Sequence, residues 1–156
     1  KTGESYMYLE LVNSYRTTRK YGEDIKPRPP VSETQIAAAE ARLGTRFPKE
    51  LRAMLLEMDG DCDFLLSLEE IIEYNEAMPS ERFAGAKPLF VATDGAGGLY
   101  GYAEKDGGAE SSRLVFWDHE TGEISDCEGA AADSLYELIK QFYDVSFGEF
   151  LDEVKP

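Results

Sequence analysis

The spacing of apolar residues divides the chain into a helical first half and a strand-forming second half, which meet near Pro88. In residues 5–15, apolar side chains recur at intervals of three and four, so we expect a peripheral helix there. The prolines within residues 26–30 then favour an extended linker, because proline lacks a backbone N–H and disfavours a helical conformation in the residue before it.

Three helices are predicted between this linker and Pro88 from their capping residues and apolar stripes. Their starts are Ser32 with Gln35, Pro48, and Ser67 with Glu70, and their ends are Gly44, Gly60 and Met78 with Pro79. Their apolar stripes are Ile36, Ala39 and Leu43, then Leu51, Leu55 and Met58, then Leu68, Ile71 and Ile72. The spacing in each stripe is that of a helix with one buried face.

After Pro88, short β-branched or aromatic runs alternate with glycine-rich turns, as in a β-meander. The predicted strands are residues 89–92, 99–103, 113–117 and 123–125, and the predicted turns are residues 94–98, 106–108 and 120–122. A last helix begins at Ser134, which has capping-box spacing with Glu137, and extends to Tyr143. This order predicts a single α+β domain, an antiparallel meander flanked by helices.

Composition agrees with a folded domain, since 42% of the 156 residues are hydrophobic and 12% are aromatic. No stretch approaches the length of a membrane span, and no signal-peptide pattern opens the chain. The chain begins at Lys1, so we expect a processed or cut N-terminus. Cys62 and Cys127 match neither a disulfide framework nor zinc-ligand spacing, and the expected compartment is the reducing cytoplasm.

The chain is strongly acidic, and its acidic excess is unevenly spread. The chain has 16 Lys and Arg residues against 31 Asp and Glu, for a net charge of −15. Residues 1–30 hold six basic and four acidic side chains, and residues 31–52 hold four basic and three acidic ones. Residues 53–156 hold six basic and 24 acidic side chains, so the excess of negative charge lies there. Such a chain is unsuited to binding nucleic acid through its phosphates or to adhering to anionic lipid. If charge matters for recognition, the counterpart is basic.

The acidic run that begins at Asp59 has part of the spacing of a calcium loop. Asp59, Asp61, Asp63 and Glu70 occupy positions 1, 3, 5 and 12 of an EF-hand. Phe64 stands where that loop needs glycine, and no second loop of this kind accompanies it. We therefore expect an acidic loop on a solvated surface between two helices, and no metal site.

The single histidine, His119, lies between Asp118 and Glu120 at the end of a predicted strand. A general base oriented by a carboxylate would be one interpretation. Consecutive strand residues point to opposite faces, however, and no Ser or Cys lies in a nucleophile-elbow context. We expect a turn or surface residue, and a hydrolase using Asp118 and His119 is the least favoured function.

Residues 94–98 are rich in glycine but match neither a P-loop nor a dinucleotide-binding fingerprint, because a strand follows them. They are expected to be a hairpin between core strands. Trp117 lies in a continuous apolar run and is expected in the core. Tyr100 and Tyr102 share one strand face, where they fit either a core edge or a binding platform.

The order of these motifs resembles the SUKH superfamily, which includes yeast cell-wall-assembly regulators of the Smi/Knr type and many bacterial proteins. The motif-bearing residues are Glu40, Leu43, Gly44, Pro48, Leu55 and Gly60, followed by residues 66–71, 94–97, 115–122 and 132–139. The resemblance covers about residues 31–143. This sequence departs from the family pattern at Asp59, where the family usually has Asn. Residues 1–30 have no counterpart in that pattern. The expected organisation is an N-terminal helical arm with a proline-rich linker over 1–30 and a SUKH domain over 31–156.

The resemblance implies an α+β binding protein that is not an enzyme and uses no cofactor. Bacterial members are largely immunity proteins that neutralise toxins, often nucleases, and an acidic surface suits a basic nuclease domain. The alternative is a general regulatory interaction module of the Smi/Knr type. Monomer and homodimer both remain open.

We expect partner contacts at exposed strand ends and loops, where binding residues concentrate. The candidates are Asp59, Asp61, Asp63, Asp94, Tyr100, Asp118, His119 and Glu120. Tyr100 is the aromatic candidate for a binding hot spot. The competing interpretation is that most of these acids only maintain solubility.

Overall fold

The computed structural model describes residues 7–83, 87–103 and 113–151. Within these ranges it contains five α-helices and one four-stranded antiparallel sheet, which confirms the predicted α+β fold. The helices are α1 Met7–Thr18, α2 Glu33–Leu43, α3 Lys49–Glu57, α4 Leu68–Ala77 and α5 Leu135–Ser146. The strands are β1 Leu89–Thr93, β2 Leu99–Tyr102, β3 Leu114–Trp117 and β4 Ile124–Asp126. The predicted turn over 106–108 lies outside the described residues.

Local capping explains where α2 and α4 begin. The Ser67 hydroxyl accepts the Glu70 N–H at 3.1 Å, and the Glu70 carboxylate accepts the Ser67 N–H at 2.9 Å. Ser32 and Gln35 form the same reciprocal pair. Two of the three predicted capping boxes are therefore confirmed. At the third, the Ser134 hydroxyl accepts the Glu137 N–H at 3.2 Å at the start of α5, which is one half of the pair. Helix α3 begins at Lys49, one residue later than predicted. Pro48 is its N-cap and not its first helical residue, because the Pro48 ψ of 151° is extended.

The sheet is a meander in the order β1-β2-β3-β4. The chain just before α4 extends it, since Leu65 bridges Ala92 and the Thr93 N–H donates to the Phe64 carbonyl at 2.9 Å. In an antiparallel meander, alternate turns lie at the same end of the sheet. The loop 59–63, the turn 94–98 and the turn 118–122 therefore lie at one end.

The main core lies between one face of the sheet and the helices. From the sheet it includes Leu89, Tyr102 and Leu114, and from α5 it includes Leu135, Leu138 and Ile139. Helix α1 joins this core through Tyr8, Leu11, Val12 and Tyr15, which are all buried. Residues 7–18 are thus packed against the domain and do not extend away from it.

A smaller core covers the opposite sheet face. It consists of Phe83, Phe90, Leu99 and Trp117, with Met78 packed against it. Trp117 is 5% exposed, as expected for a core residue. In the part of the chain that the structure describes, no helix is both long and apolar enough to span a bilayer.

Candidate partner-binding surface

The loop 59–63 is organised around the carboxylate of Asp61, which is fully buried. Its Oδ1 accepts the N–H groups of Asp63, Phe64 and Leu65 at 2.9, 2.7 and 2.7 Å, and the Tyr143 hydroxyl donates to its Oδ2. Burial raises the pKa of Asp61, while these four hydrogen bonds oppose that shift. Asp61 therefore holds the loop together, and its expected contact with a partner is corrected, because the side chain does not reach the surface.

The other two carboxylates of the loop, Asp59 and Asp63, have different surroundings. The Asp59 Oδ1 accepts the Leu68 N–H at 2.6 Å, at the start of α4. Asp63 is exposed at the loop surface, and partial burial together with the charges of Asp61 and Asp24 raises its pKa. Among residues 7–83, 87–103 and 113–151, no three His, Cys, Asp or Glu side chains are grouped so that they could hold a metal ion. Of the three predicted loop carboxylates, Asp63 is the one in an exposed position.

The turn 94–98 is closed by Asp94 and lies against the His119 ring. Its first carboxylate oxygen, Asp94 Oδ1, accepts the N–H groups of Ala96 and Gly98 at 2.8 and 2.9 Å. Gly97 has a φ of 104°, and a Cβ there would lie 2.8 Å from the His119 ring. The glycine therefore lets the imidazole lie directly against the turn.

The turn 118–122 presents two polar side chains to solvent, His119 and Glu120. The Asp118 Oδ1 accepts the Glu120 N–H at 2.8 Å, so this oxygen supports its own turn. Among the described residues, no hydrogen bond joins Asp118 to His119. This arrangement differs from a carboxylate-oriented general base, which needs that bond.

A row of aromatic rings crosses the same end of the sheet. Phe142 stacks on Phe64 at 4.1 Å between centroids, Phe64 contacts Tyr100 at 5.4 Å, and Tyr100 contacts Phe116 at 4.8 Å. Tyr100, Phe116 and Phe142 are half-buried, so each keeps part of its ring at the surface. Burial raises the pKa of Tyr100, and the charges of Cys127 and Asp94 add to the shift.

Tyr102, although on the same face as Tyr100, belongs to the core. Its side chain is fully buried and its hydroxyl donates to Glu50 Oε2 at 2.8 Å. The sequence left open whether these two tyrosines form a core edge or a binding platform, and the structure shows that they differ. Tyr102 is core and Tyr100 is the half-exposed edge.

We call the exposed and half-buried polar groups at this end, together with the neighbouring tyrosine, the sheet-end surface: Asp63, Asp94, Tyr100, Asp118, His119 and Glu120. Sequence reasoning placed all six among its candidates. The structure adds that they lie at one end of one sheet, whereas Asp59 caps α4 and Asp61 is internal. Their role in binding remains a prediction.

Sequence reasoning missed a groove of about 560 Å³ on the other face of this sheet end. Helix α4 and the residue after it form one wall, with Glu73, Tyr74, Ala77 and Met78, and the sheet provides Thr93, Gly95, Gly97, Leu99 and Trp117. Tyr74 is 39% exposed. An aromatic residue outside the buried stripe of α4 was the available signal, but nothing local showed that the sheet would lie opposite it.

Residue Asn75, also missed, fixes α4 against the sheet. Its side-chain amide donates to the Phe90 carbonyl and its side-chain oxygen accepts the Phe90 N–H, both at 2.9 Å. The wall of the groove is therefore attached directly to the backbone of β1.

Residues 30–153 match the model of the SMI1 / KNR4 family (SUKH-1), which covers most of the chain. No curated protein matches the sequence.

Proposed function

Because the chain belongs to the SMI1 / KNR4 family (SUKH-1), whose domains are generally non-catalytic, we propose that it is a protein-binding domain and not an enzyme. More specifically, it acts as an immunity protein of a bacterial polymorphic toxin system. It neutralises a basic toxin, of the nuclease type, by covering the toxin's nucleic-acid site in the cytoplasm. The bacterial members that the sequence resembles support this choice of partner.

The observation that carries the proposal is the convergence of acidic segments on the sheet-end surface. Asp63, Asp94, Asp118 and Glu120 come from three separate segments, and none of them forms an ion pair among the described residues. Uncompensated charge on one surface steers an oppositely charged partner and raises its association rate.

The half-buried aromatic row beside these carboxylates supports the same site. Interfaces concentrate binding energy in aromatic residues that are surrounded by polar groups. Tyr100 meets this description, since its ring is held by Phe64 and Phe116 while part of it faces solvent.

The test uses the toxin domain encoded by the neighbouring gene, with co-expression as the functional assay and surface plasmon resonance as the binding assay. The full chain should protect cells and form a complex. The double variant Asp118→Lys/Glu120→Lys should weaken binding roughly tenfold or more, chiefly through slower association, and flatten the dependence on salt.

The matched control is Glu10→Lys/Glu128→Lys, which changes the net charge equally at exposed positions on α1 and beyond β4. It should change the affinity by less than about threefold, because distant exposed charges are screened. No protection and no complex would overturn the immunity assignment. A complex equally weakened by both double variants would overturn the location of the site.

A further inference from the structure

We propose that the groove between α4 and the sheet, the α4 groove, anchors one large apolar side chain of the partner that is flanked by Lys or Arg. This inference rests on the proposed protein-binding function and specifies what the partner presents. The groove adjoins the sheet-end surface, because Gly97 lines the groove while His119 lies against that same glycine.

The shape and lining of the groove suit an apolar side chain. Tyr74, Met78, Leu99 and Trp117 line a volume of about 560 Å³, which is within the range of small-ligand pockets. Gly95 and Gly97 border the groove at the end nearest the turn 94–98. Tyrosine and tryptophan are the residue types most enriched where interfaces concentrate binding energy.

The groove is built rigidly, so a ligand finds it already formed. Asn75 holds α4 to β1 through the Phe90 backbone, and Lys87 donates to the Asn75 and Met78 carbonyls at the end of α4. Trp117 packs against Phe83 and Phe90, with centroids 6.1 Å apart in both pairs. A preformed pocket avoids the entropy cost of ordering on binding.

Charge complementarity selects the residues that flank the anchor. Glu73 lines the groove, and Asp94 and Asp118 lie in the two turns at its open end. Among the described lining residues there is no Lys or Arg. A partner segment with basic residues beside its anchor is therefore attracted, whereas an acidic one is repelled.

Trp117, which lines the groove, has an unpaired indole donor. Its indole Nε1 is the one buried side-chain nitrogen or oxygen, in the part of the chain that the structure describes, with no hydrogen-bond partner. Buried donors in native proteins are almost always paired. The wall of the groove therefore contains an exception to this rule.

The experiment selects peptides from a display library of random dodecapeptides lacking tryptophan, on the immobilised full chain. Trp117 is the only tryptophan, so its emission reports directly on the groove. We expect the selected peptides to carry an aromatic or large aliphatic residue next to Lys or Arg. A synthetic copy should shift or quench Trp117 emission.

Two variants test the contacts with this synthetic peptide. Tyr74→Ser and Glu73→Lys should each weaken binding by roughly tenfold. Tyr21→Ser and Glu10→Lys, at exposed sites elsewhere, should change it by less than about twofold. Selection of no peptide or of acidic peptides, unchanged Trp117 emission, or insensitivity to Tyr74→Ser would overturn the inference.

The same variants separate this inference from the proposed function. If the toxin domain binds Tyr74→Ser and Glu73→Lys as tightly as the unmodified chain, the α4 groove is not the anchor site while the immunity assignment stands. If the toxin domain does not bind but the selected peptides occupy the groove, the immunity assignment fails and the groove is retained.

Discussion

Asp61 shows how one buried side chain can determine the shape of an acidic loop. Its carboxylate accepts three backbone N–H groups, of which those of Phe64 and Leu65 would otherwise be buried without acceptors. It also accepts a fourth hydrogen bond from Tyr143 of α5. The loop that resembles a calcium site in sequence is thus folded around one of its own carboxylates.

Replacing Asp61 with Ala should lower the free energy of unfolding by about 2–4 kcal/mol, because it leaves several buried groups unpaired. Asp61→Asn retains an accepting oxygen and should cost less than half as much. Urea denaturation followed by circular dichroism measures both. Asp63→Asn, at an exposed position, serves as the control and should be nearly neutral. Equal losses for Asp61→Ala and Asp63→Asn would contradict this role.

At the scale of elements, the β1–β2 turn shows why a glycine-rich sequence need not bind phosphate. Asp94 closes the turn through the Ala96 and Gly98 N–H groups, and Gly97 makes room for the His119 ring of the next hairpin. The glycines therefore bring two turns together at the sheet-end surface.

Gly97→Ala and Gly95→Ala form a matched pair, since both glycines have positive φ but only Gly97 has His119 within contact distance. Gly95→Ala should cost about 1 kcal/mol and Gly97→Ala about 2–3 kcal/mol of unfolding free energy. Adding His119→Ala should recover part of the Gly97→Ala loss in a double-mutant cycle. If the unfolding free-energy changes of Gly97→Ala and His119→Ala are additive in the double variant, the contact between the turn and the imidazole contributes nothing to stability.

At the scale of the molecule, the excess of carboxylates over basic groups has a cost in stability. Burial raises the pKa of Glu50, Glu57, Asp61 and Asp63, and neighbouring negative charges add to this for all but Asp61. Arg42 lowers the pKa of Glu76, but that pair is exposed and contributes little. The raised groups set the direction of the pH dependence.

A carboxyl group with a raised pKa in the folded state holds its proton to a higher pH than the same group in the unfolded chain. Stability therefore falls as pH rises from the ordinary carboxyl range through the raised values. We expect the melting temperature to be higher at about pH 5 than at about pH 8. Scanning calorimetry measures this, and Glu57→Gln should reduce the difference. A melting temperature that rises steadily toward pH 8 would contradict it.

The secondary structure was largely predictable because its signals are local. Ser67 and Glu70 are three residues apart and cap α4 by bonding to each other's backbone, so neighbouring residues contain all the information needed. The same holds for the proline linker and for the meander, whose strand runs and glycine turns alternate within a few residues. The order of these motifs also resembled the family to which the chain belongs.

Tertiary structure decided which residues belong to the sheet-end surface and to the α4 groove. Asp61 is internal because Tyr143, 82 positions later, packs above it, and Tyr100 and Tyr102 differ in burial because Glu50 and the helices cover only one of them. Tyr74 and Trp117 line the same groove only after α4 docks on β1 through Asn75. The sequence by itself determined helices, strands, turns and net charge, since these follow from residues a few positions apart. Burial and convergence depend on long-range packing, which no local pattern records.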